Sequence, residues 1–342
     1  MLSTPAISIV MPAYNAARFL DEAVRSMLDQ TFRDFEFIII NDGSTDDTGS
    51  ILDKYEKTDS RMQVYHQENQ GMIAALNRGC RLARGEFIAR MDADDISFPY
   101  RLEKQLAYIE EHPEIGIVGT WIHNIDKNGL VRGTWRPPTN SKMLKWTLFF
   151  GVCVAHPSVL MRRDLMTQLN FYRPDAEHVE DVDLWFRASS IAEFGNVPEV
   201  LLKHRVWTGS THQSGLEVRN DCHVQLLASY IKDTLNLDPP IQAVAGLRRM
   251  RVGPRMEEAQ PIRLTAALIH DLYRNFTKEN RMSFEEVSWD AAKKLAALAL
   301  QALRFNTADS MSLFLQALRL DYRLLYPATL MRGLERAFEQ RL

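Results

Sequence analysis

Apolar runs and helical patterns alternate along the first hundred residues of the chain. Residues 7–11 and 35–40 are almost continuously apolar, which is typical of strands buried on both faces of a parallel sheet. Residues 62–66 and 86–91 predict two more strands, and apolar positions recur at helical spacing between successive strands. Because strands and helices alternate with short connections, the chain predicts an α/β fold with a mostly parallel sheet flanked by helices.

The same pattern continues through the next hundred residues. Residues 101–112 predict a helix, and Ser97 and Pro99 are expected to start it, since Ser can cap a helix and Pro is tolerated in its first turn. Residues 115–122 predict another buried strand, and residues 197–206 predict a final strand.

The pattern of apolar and polar positions changes near residue 213, and beyond it only helical patterns are found. We therefore expect an α/β domain at residues 1–212 and an all-helical region at 213–342. In the segment at 288–325, six leucines are expected to pack one side of the helices: Leu295, Leu298, Leu303, Leu313, Leu315 and Leu318.

Composition narrows the class of protein. Hydrophobic residues make up 46% and charged residues 25% of the chain, as in soluble globular proteins, and a net charge of −3 gives no reason to expect nucleic acid as a partner. No segment approaches the ~18 consecutive apolar residues of a membrane span, and the N-terminus does not resemble a signal peptide. Three widely spaced cysteines are typical of reduced thiols in a cytoplasmic protein: Cys80, Cys153 and Cys222.

Polar residues follow three of the predicted strands. Residues 12–15 and 41–46 each come after a strand, and the fourth strand is followed by Asp92, Asp94 and Asp95. In a parallel sheet these segments share one edge, where ligands usually bind. Crowded carboxylates are best satisfied by a divalent cation or by ligand hydroxyls, whereas a plain acidic turn is the alternative. The chain has neither the glycine motif of dinucleotide-binding enzymes nor a P-loop.

Four segments in this order resemble the family 2 glycosyltransferases, which have the GT-A fold. They are residues 7–15, the Asp-Gly-Ser-Thr-Asp segment at 42–46, residues 69–79 and the Asp-Ala-Asp-Asp segment at 92–95. The resemblance covers about the first 210 residues. It implies a Rossmann-like GT-A sheet and an inverting, metal-dependent transfer of a sugar from a nucleotide-sugar donor, with a UDP-sugar expected.

The resemblance also implies roles in donor binding. Asp42 would accept a hydrogen bond from the uracil ring, Asp92 would hold the ribose, and Asp94 would bind Mn²⁺ or Mg²⁺, which prefer hard oxygen ligands. Asp95 is expected at a helix start or behind the ligands. The turn that lines the nucleotide pocket would consist of Pro12, Ala13, Tyr14 and Asn15.

Four further residues are implied to lie at the donor site. Gly71 and Asn77 belong to the third matching segment, Ala93 lies between the acidic residues, and His156 begins a His-Pro-Ser segment of the kind found near the diphosphate or acceptor. For Asn77 and His156, a buried packing role is the alternative.

A second acidic segment, at residues 180–185, resembles the Glu-Asp-x-Asp-Leu-Trp motif of the same family. Inverting transfer needs a carboxylate that takes the proton of the acceptor hydroxyl, and Asp181 is the expected base. Glu180 is expected to orient the acceptor or the neighbouring backbone. For Asp183 we expect only that it complements the helix dipole.

Relatives often have a His after the last strand, where this chain has Trp207. Whether His204 or His212 reaches the metal or the diphosphate instead stays open. The expected acceptor is a hydroxyl of a glycan or of a lipid-linked glycan, as in cell-surface polysaccharide biosynthesis. The C-terminal helices would then either pack as an accessory domain or make a peripheral contact with the membrane.

Two other functions are alternatives. A catalytically inactive nucleotide-sugar-binding scaffold could be built on the same fold, since fold alone does not decide function. A nucleotidyltransferase would also use acidic metal ligands, but it would need a basic, glycine-rich loop after the first strand, and residues 12–18 contain none.

Overall fold

The computed structural model describes residues 4–207, 216–251, 256, 258–279 and 285–325. The chain forms two compact units, Met1–Leu148 with Val152–Arg219 and Phe149–Gly151 with Asn220–Leu342. The predicted boundary between residues 212 and 213 lies outside the described residues and stays a prediction.

Nine strands form one sheet in the described part of the first unit. The first four are β1 (Ile7–Ala13), β2 (Phe35–Asp42), β3 (Met62–Gln67) and β4 (Phe87–Arg90). They pair in parallel in the order β3-β2-β1-β4. Every residue of β2 is buried, as expected for a strand covered by helices on both faces.

The other five strands extend the sheet beyond β4. They are β5 (Ile96–Ser97), β6 (Ile115–Ile125), β7 (Val131–Trp135), β8 (Leu160–Arg162) and β9 (Glu193–Arg205). Because β8 is antiparallel to both β4 and β6, and β9 is parallel to β6, both β6 and β9 run in the direction of the first four strands. Six carboxyl ends therefore lie along one rim, and the predicted mostly parallel sheet is confirmed.

Seven helices occur in the described part of the first unit. Their apolar faces pack on the sheet, as in the helix after β1, where Leu20, Val24 and Met27 are fully buried. The helices are α1 (Ala17–Leu28), α2 (Thr48–Glu56), α3 (Met72–Leu82), α4 (Arg101–Glu111), α5 (Ser141–Leu148), α6 (Arg163–Gln168) and α7 (Glu180–Ala188).

The predicted helix start at Ser97 and Pro99 is wrong. Ser97 belongs to β5, which pairs antiparallel with β9, and the N–H of Phe98 donates to the carbonyl of Leu201 at 3.0 Å. Helix α4 begins only at Arg101. The buried strand pairing provides backbone hydrogen bonds that outweigh the local tendency of Ser to cap a helix.

The second unit contains only helices among its described elements, so the predicted all-helical extension is confirmed. None of the described helices is long and apolar enough to cross a membrane. The helices are α8 (Leu216–Leu235), α9 (Ile241–Arg251), α10 (Ala259–Glu279), α11 (Glu285–Ala302) and α12 (Thr307–Leu320).

The prediction that six leucines pack one side of these helices is wrong for two of them. Leu295 and Leu313 are buried, whereas Leu303 and Leu315 are 55% and 51% exposed. Leu303 lies beyond the end of α11. Leu315 lies about 200° around the helix axis from Leu313, because successive residues turn by about 100°.

Candidate active site

Two turns at the carboxyl rim bind each other. Asn15 has a left-handed backbone with φ of 47°, a conformation that asparagine tolerates well. Its N–H donates to Ser44 Oγ at 3.0 Å, and its Oδ1 accepts from the N–H of Thr45 at 2.8 Å. Ala13 is buried while Tyr14 is 54% exposed. The turn therefore presents one aromatic ring at the rim.

Asp42 ends β2 and organises the loop after β3. Its carboxylate is buried, and Oδ1 accepts from Gln67 Nε2 at 2.6 Å and from the N–H of Gln70 at 2.9 Å. Oδ2 accepts from the N–H of Gly71 at 2.9 Å. A carboxylate has about four acceptor positions, so one is left for a ligand donor. The contact with a uracil ring stays a prediction.

Two glycines in these loops have left-handed backbones. Gly43 has φ of 72°, and a Cβ there would lie 2.6 Å from the backbone nitrogen of Asn69, so no other residue fits. Gly71 has φ of 87° directly before α3, and a Cβ there would meet no atom within 4 Å. Gly71 is thus required for its conformation and leaves open space at the rim.

Asp92 follows β4 and pairs with a buried arginine. The Nη1 atom of Arg90, whose residue is only 4% exposed, lies 2.6 Å from Asp92 Oδ2. The ion pair compensates a buried guanidinium and holds Asp92 at the rim, where the residue is half-buried. The contact of Asp92 with a ribose stays a prediction.

Asp94 is half-buried, and its surroundings disfavour the charged form of its carboxyl. Burial, together with the nearby Asp92 carboxylate, raises the pKa of its carboxyl to about 6. The indole N–H of Trp207 donates to Asp94 Oδ2 at 3.2 Å, which opposes that rise. The environment of Asp94 thus favours a nearby cation.

Asp95 lies fully buried behind the rim, as expected. Its Oδ1 accepts from the N–H of Arg205 at 2.7 Å, while Oδ2 has no hydrogen-bond donor among the described residues. Burial raises the pKa of Asp95 well above its usual value, and Asp92 and Asp94 add to the rise. These conditions favour the neutral acid.

Two buried arginines, Arg101 and Arg205, lie next to the acidic segment. Arg101 is fully buried, and its Nη2 donates to the carbonyl of Arg90 at 2.7 Å. Burial lowers the pKa of Arg101 to about 9, so the guanidinium keeps its charge at neutral pH. Arg205 donates from Nε to the carbonyl of Asp94 at 2.8 Å and pairs with Glu22. The two arginines thus bind the backbone just before the acidic segment and within it.

The carboxylate of Asp94 suits a divalent cation. Carboxylate oxygens are the ligands that Mg²⁺ and Mn²⁺ prefer, and the raised pKa of Asp94 reflects charge that a cation would stabilise. Within the described ranges, no three His, Cys, Asp or Glu side chains converge closely enough to hold a metal alone. A cation at Asp94 would therefore take other ligands from a bound diphosphate and from water.

The second acidic group stands at the start of α7. Glu180 is buried and Asp181 is half-buried in the first turn, where Asp181 Oδ1 accepts from the N–H of Val182 at 2.8 Å. Asp183 is buried and pairs with Arg187 at 2.7 Å. Its contacts are those of a packing residue.

The segment before α7 is tied to the interior by Tyr172. The side chain of Asn77 donates to the carbonyl of Tyr172 at 2.8 Å and accepts from its N–H at 3.0 Å. The Tyr172 hydroxyl lies 2.8 Å from His156 Nε2. Both Asn77 and His156 are buried. Their contacts match the packing alternative, and a role in nucleotide binding stays a prediction.

Tyr172 also interacts electrostatically with Arg90 and with the second acidic group. Burial raises its pKa well above the usual value, with Glu180 and Asp181 adding to the rise and Arg90 opposing it. Because Arg90 pairs with Asp92, Tyr172 is linked to the first acidic group through this arginine and to the second through Glu180 and Asp181. That both groups serve one active site stays a prediction.

The other predicted residues fall into two groups. Pro12 and Ala93 lie at the rim beside Ala13 and Asp92, at the ends of β1 and β4. His204 lies in β9, and His212 lies outside the described residues. Sequence reasoning did not assign the residues that contact the acidic segment, which are Arg90, Arg101, Arg205 and Trp207. Of these, only Trp207 gave a signal in the sequence, as a departure from the family pattern.

The mostly parallel sheet with acidic motifs at its carboxyl rim has the features of the GT-A class of glycosyltransferase. The model of "Glycosyl transferase family 2" matches residues 8–169. The chain is 33% identical over 230 residues to the O-antigen biosynthesis glycosyltransferase WbnJ of Escherichia coli, covering 66% of this chain and 89% of WbnJ. It is 32% identical over 210 residues to the uncharacterized glycosyltransferase MJ1057 of Methanocaldococcus jannaschii, covering 60% and 72% respectively. The chain belongs to glycosyltransferase family 2, and the prediction of a glycosyltransferase is confirmed.

Solved structures resemble the fold over almost the whole chain. Residues 1–349 of TarS from S. aureus, in complex with UDP-GlcNAc, superpose with a TM-score of 0.57 at 18% identity, covering 93% of this chain and 91% of that one. The same TarS segment with UDP also gives a TM-score of 0.57. At this identity the likeness is one of fold.

Proposed function

We propose that this chain is an inverting, metal-dependent glycosyltransferase that moves a sugar from a UDP-sugar to a hydroxyl of a glycan or lipid-linked acceptor. The observation that carries the proposal is the presence of two separate carboxylate groups, Asp92 and Asp94 beyond the end of β4 and Asp181 in the first turn of α7. Transfer needs one group for the donor and another for the acceptor proton. The similarity to WbnJ, which is named for O-antigen biosynthesis, supports a cell-surface glycan as the acceptor.

The donor would lie along the carboxyl rim. Tyr14 is exposed beside the turn that Asn15 and Ser44 hold, which suits stacking or edge contact with a base. Asp42 retains one acceptor position for a ring N–H. Asp92 would accept from the ribose hydroxyls, and Asp94 would hold the divalent cation shared with the diphosphate.

The transfer would be a single displacement. The Asp181 carboxylate takes the proton of the acceptor hydroxyl while the acceptor oxygen bonds to the anomeric carbon. The bond from that carbon to the diphosphate oxygen breaks, and its electron pair leaves with the diphosphate. Attack on the face opposite the leaving group inverts the configuration. A divalent cation, when bound at Asp94, supplies positive charge that stabilises the departing diphosphate.

A panel of nucleotide sugars with Mn²⁺ or Mg²⁺ tests the proposal, scored by saturation binding and by slow donor hydrolysis. We expect a UDP-sugar to bind and to be hydrolysed, because the base can also activate water. Binding without hydrolysis or transfer would favour the inactive scaffold. If no UDP-sugar binds, the role of Asp42 is wrong.

We also propose a cytoplasmic location with peripheral contact to the membrane. The three cysteines are free, as is usual in a reducing compartment. The described part of the second unit exposes several large apolar side chains near two exposed arginines, Arg304 and Arg319. Apolar and basic residues together suit an anionic lipid surface. The apolar residues are Leu300, Leu303, Phe305, Met311, Leu315, Tyr322 and Leu325.

A further inference from the structure

Arg18 is an exposed cation at the rim of the donor site. It lies in the first turn of α1, directly after the turn that bears Tyr14. Its Cζ atom lies 4.8 Å from the centroid of the Phe19 ring and 5.6 Å from that of the Trp207 ring. Among the described residues, Arg18 has no carboxylate within ion-pair distance, in contrast to Arg90, which is paired.

The Trp207 side chain contacts both Arg18 and Asp94. Its indole N–H donates to Asp94 Oδ2 at 3.2 Å, while its ring meets Phe19 edge-on at 5.4 Å and the Arg18 guanidinium at 5.6 Å. An indole N–H is a donor only, so Trp207 cannot bind a metal through nitrogen and instead orients one carboxylate oxygen. The Arg18 cation and the predicted metal ligand Asp94 therefore contact the same side chain, Trp207.

Arg205 contacts both Phe19 and the acidic segment. The Arg205 guanidinium lies 4.2 Å from the centroid of the Phe19 ring and donates to the carbonyl of Asp94 at 2.8 Å. Phe19 itself is buried. Two guanidinium groups and two aromatic rings thus pack together beside the acidic segment. Of the two arginines, Arg205 pairs with Glu22, whereas Arg18 is exposed and has no carboxylate partner among the described residues.

We propose that Arg18 binds the diphosphate of the nucleotide donor, and that Trp207 is a positioning residue that fixes Arg18 and Asp94 relative to each other. A guanidinium presents a planar fork of N–H donors that matches phosphate oxygens, and stacking on aromatic rings restricts its motion before the ligand arrives. The diphosphate would lie between this fork and the cation at Asp94. The inference rests on the proposed function, because it assumes a nucleotide diphosphate at the rim.

Binding of UDP and of uridine, measured by calorimetry in Mg²⁺ buffer, tests the proposal. Uridine lacks the diphosphate, so Arg18→Gln is expected to weaken UDP binding about ten- to hundredfold and to leave uridine binding unchanged. Arg18→Lys keeps the positive charge but lacks the planar fork of donors. Its affinity for UDP should therefore lie between those of the wild type and of Arg18→Gln. Arg25→Gln is the matched control, since Arg25 lies on the same helix but pairs with Asp21 and Tyr55.

A double-variant cycle tests the role of Trp207. Trp207→Ala removes the surface on which Arg18 stacks, so its loss of UDP affinity should not add to that of Arg18→Gln. Trp207→Phe keeps a ring for Arg18 but removes the donor to Asp94. It should therefore retain most of the UDP affinity while altering the electron paramagnetic resonance spectrum of Mn²⁺ bound with UDP. Circular dichroism of each variant checks its fold.

The outcomes separate this inference from the proposed function. Equal UDP affinity in the wild type and in Arg18→Gln would overturn the inference and leave the proposed function standing. A parallel loss of uridine binding would show that Arg18 acts on the fold of the site and not on the diphosphate. Failure of the wild type to bind UDP would overturn both.

Discussion

Asp181 is the residue on which the proposed chemistry depends. Its carboxylate is half-buried at the start of α7, so Asp181→Asn keeps the size and the hydrogen bond from the N–H of Val182 but removes the proton acceptor. We expect kcat to fall about a hundredfold or more, since general bases contribute ~10²–10⁴. The Kd for UDP should not change. Steady-state kinetics and calorimetry measure the two quantities.

A nearby carboxylate provides the control for this substitution. Asp175 lies in the same segment, is exposed, and is only loosely paired with Arg173 at 3.6 Å. Asp175→Asn should leave kcat and donor affinity unchanged. Near-normal turnover in Asp181→Asn would show that another group takes the proton.

At the scale of residues, the sequence reveals the chemical groups but not what surrounds them. Asp92, Asp94 and Asp181 could be found because acidic residues cluster after a strand or in a helix start. Their partners could not, because Trp207 reaches Asp94 from more than a hundred positions away, through the path of β9 in the sheet. Contacts of this kind are set by tertiary packing, which local patterns do not encode.

At the scale of elements, the segment between α6 and α7 positions the predicted base. Tyr172 is buried, and its hydroxyl lies 2.8 Å from His156 Nε2, while Asn77 binds its backbone on both sides. Tyr172→Phe keeps the ring and leaves His156 without this hydrogen-bond partner, which should cost ~1–3 kcal/mol of unfolding free energy. We expect kcat to fall with an unchanged KM for the donor, because the segment leads directly into the helix of Asp181.

Tyr100→Phe is the control for this substitution, since Tyr100 is exposed and precedes α4. Chemical denaturation and initial rates measure stability and turnover in both variants. If Tyr172→Phe lowers stability without changing kcat, the tyrosine supports the fold alone. If neither quantity changes, the hydrogen bond to His156 has no measurable role.

The elements themselves were predictable where burial dominates their sequence. β1 and β2 were found because their runs are apolar on both faces, which leaves little ambiguity about a parallel sheet. β5 was missed because two residues carry no periodicity, and Ser97 instead suggests a cap. The antiparallel direction of β8 could not be predicted either, because this strand has only three residues and its direction follows from its pairing with β4 and β6 on either side.

At the scale of the whole molecule, the helical unit is where sequence reasoning was least specific. Helical periodicity predicted its helices but could not decide which leucines face inward, because several leucines lie on more than one side of the same helix. Leu303 and Leu315 prove to be exposed, and Met311 lies one turn before Leu315 on the outer face of α12. Large apolar side chains are thus exposed both on α12 and in the segment before it.

The last prediction concerns this surface and the membrane. We expect the full chain to float with vesicles that contain anionic lipid at low salt and to bind less at high salt, because Arg304 and Arg319 accompany the apolar residues. The double substitution Met311→Ser and Leu315→Ser should reduce flotation, since both side chains are exposed and would insert at the interface. Leu130→Ser is the control, because it removes an exposed apolar side chain from the first unit. A chain that stays wholly in the unbound fraction at low salt would exclude peripheral attachment through these helices.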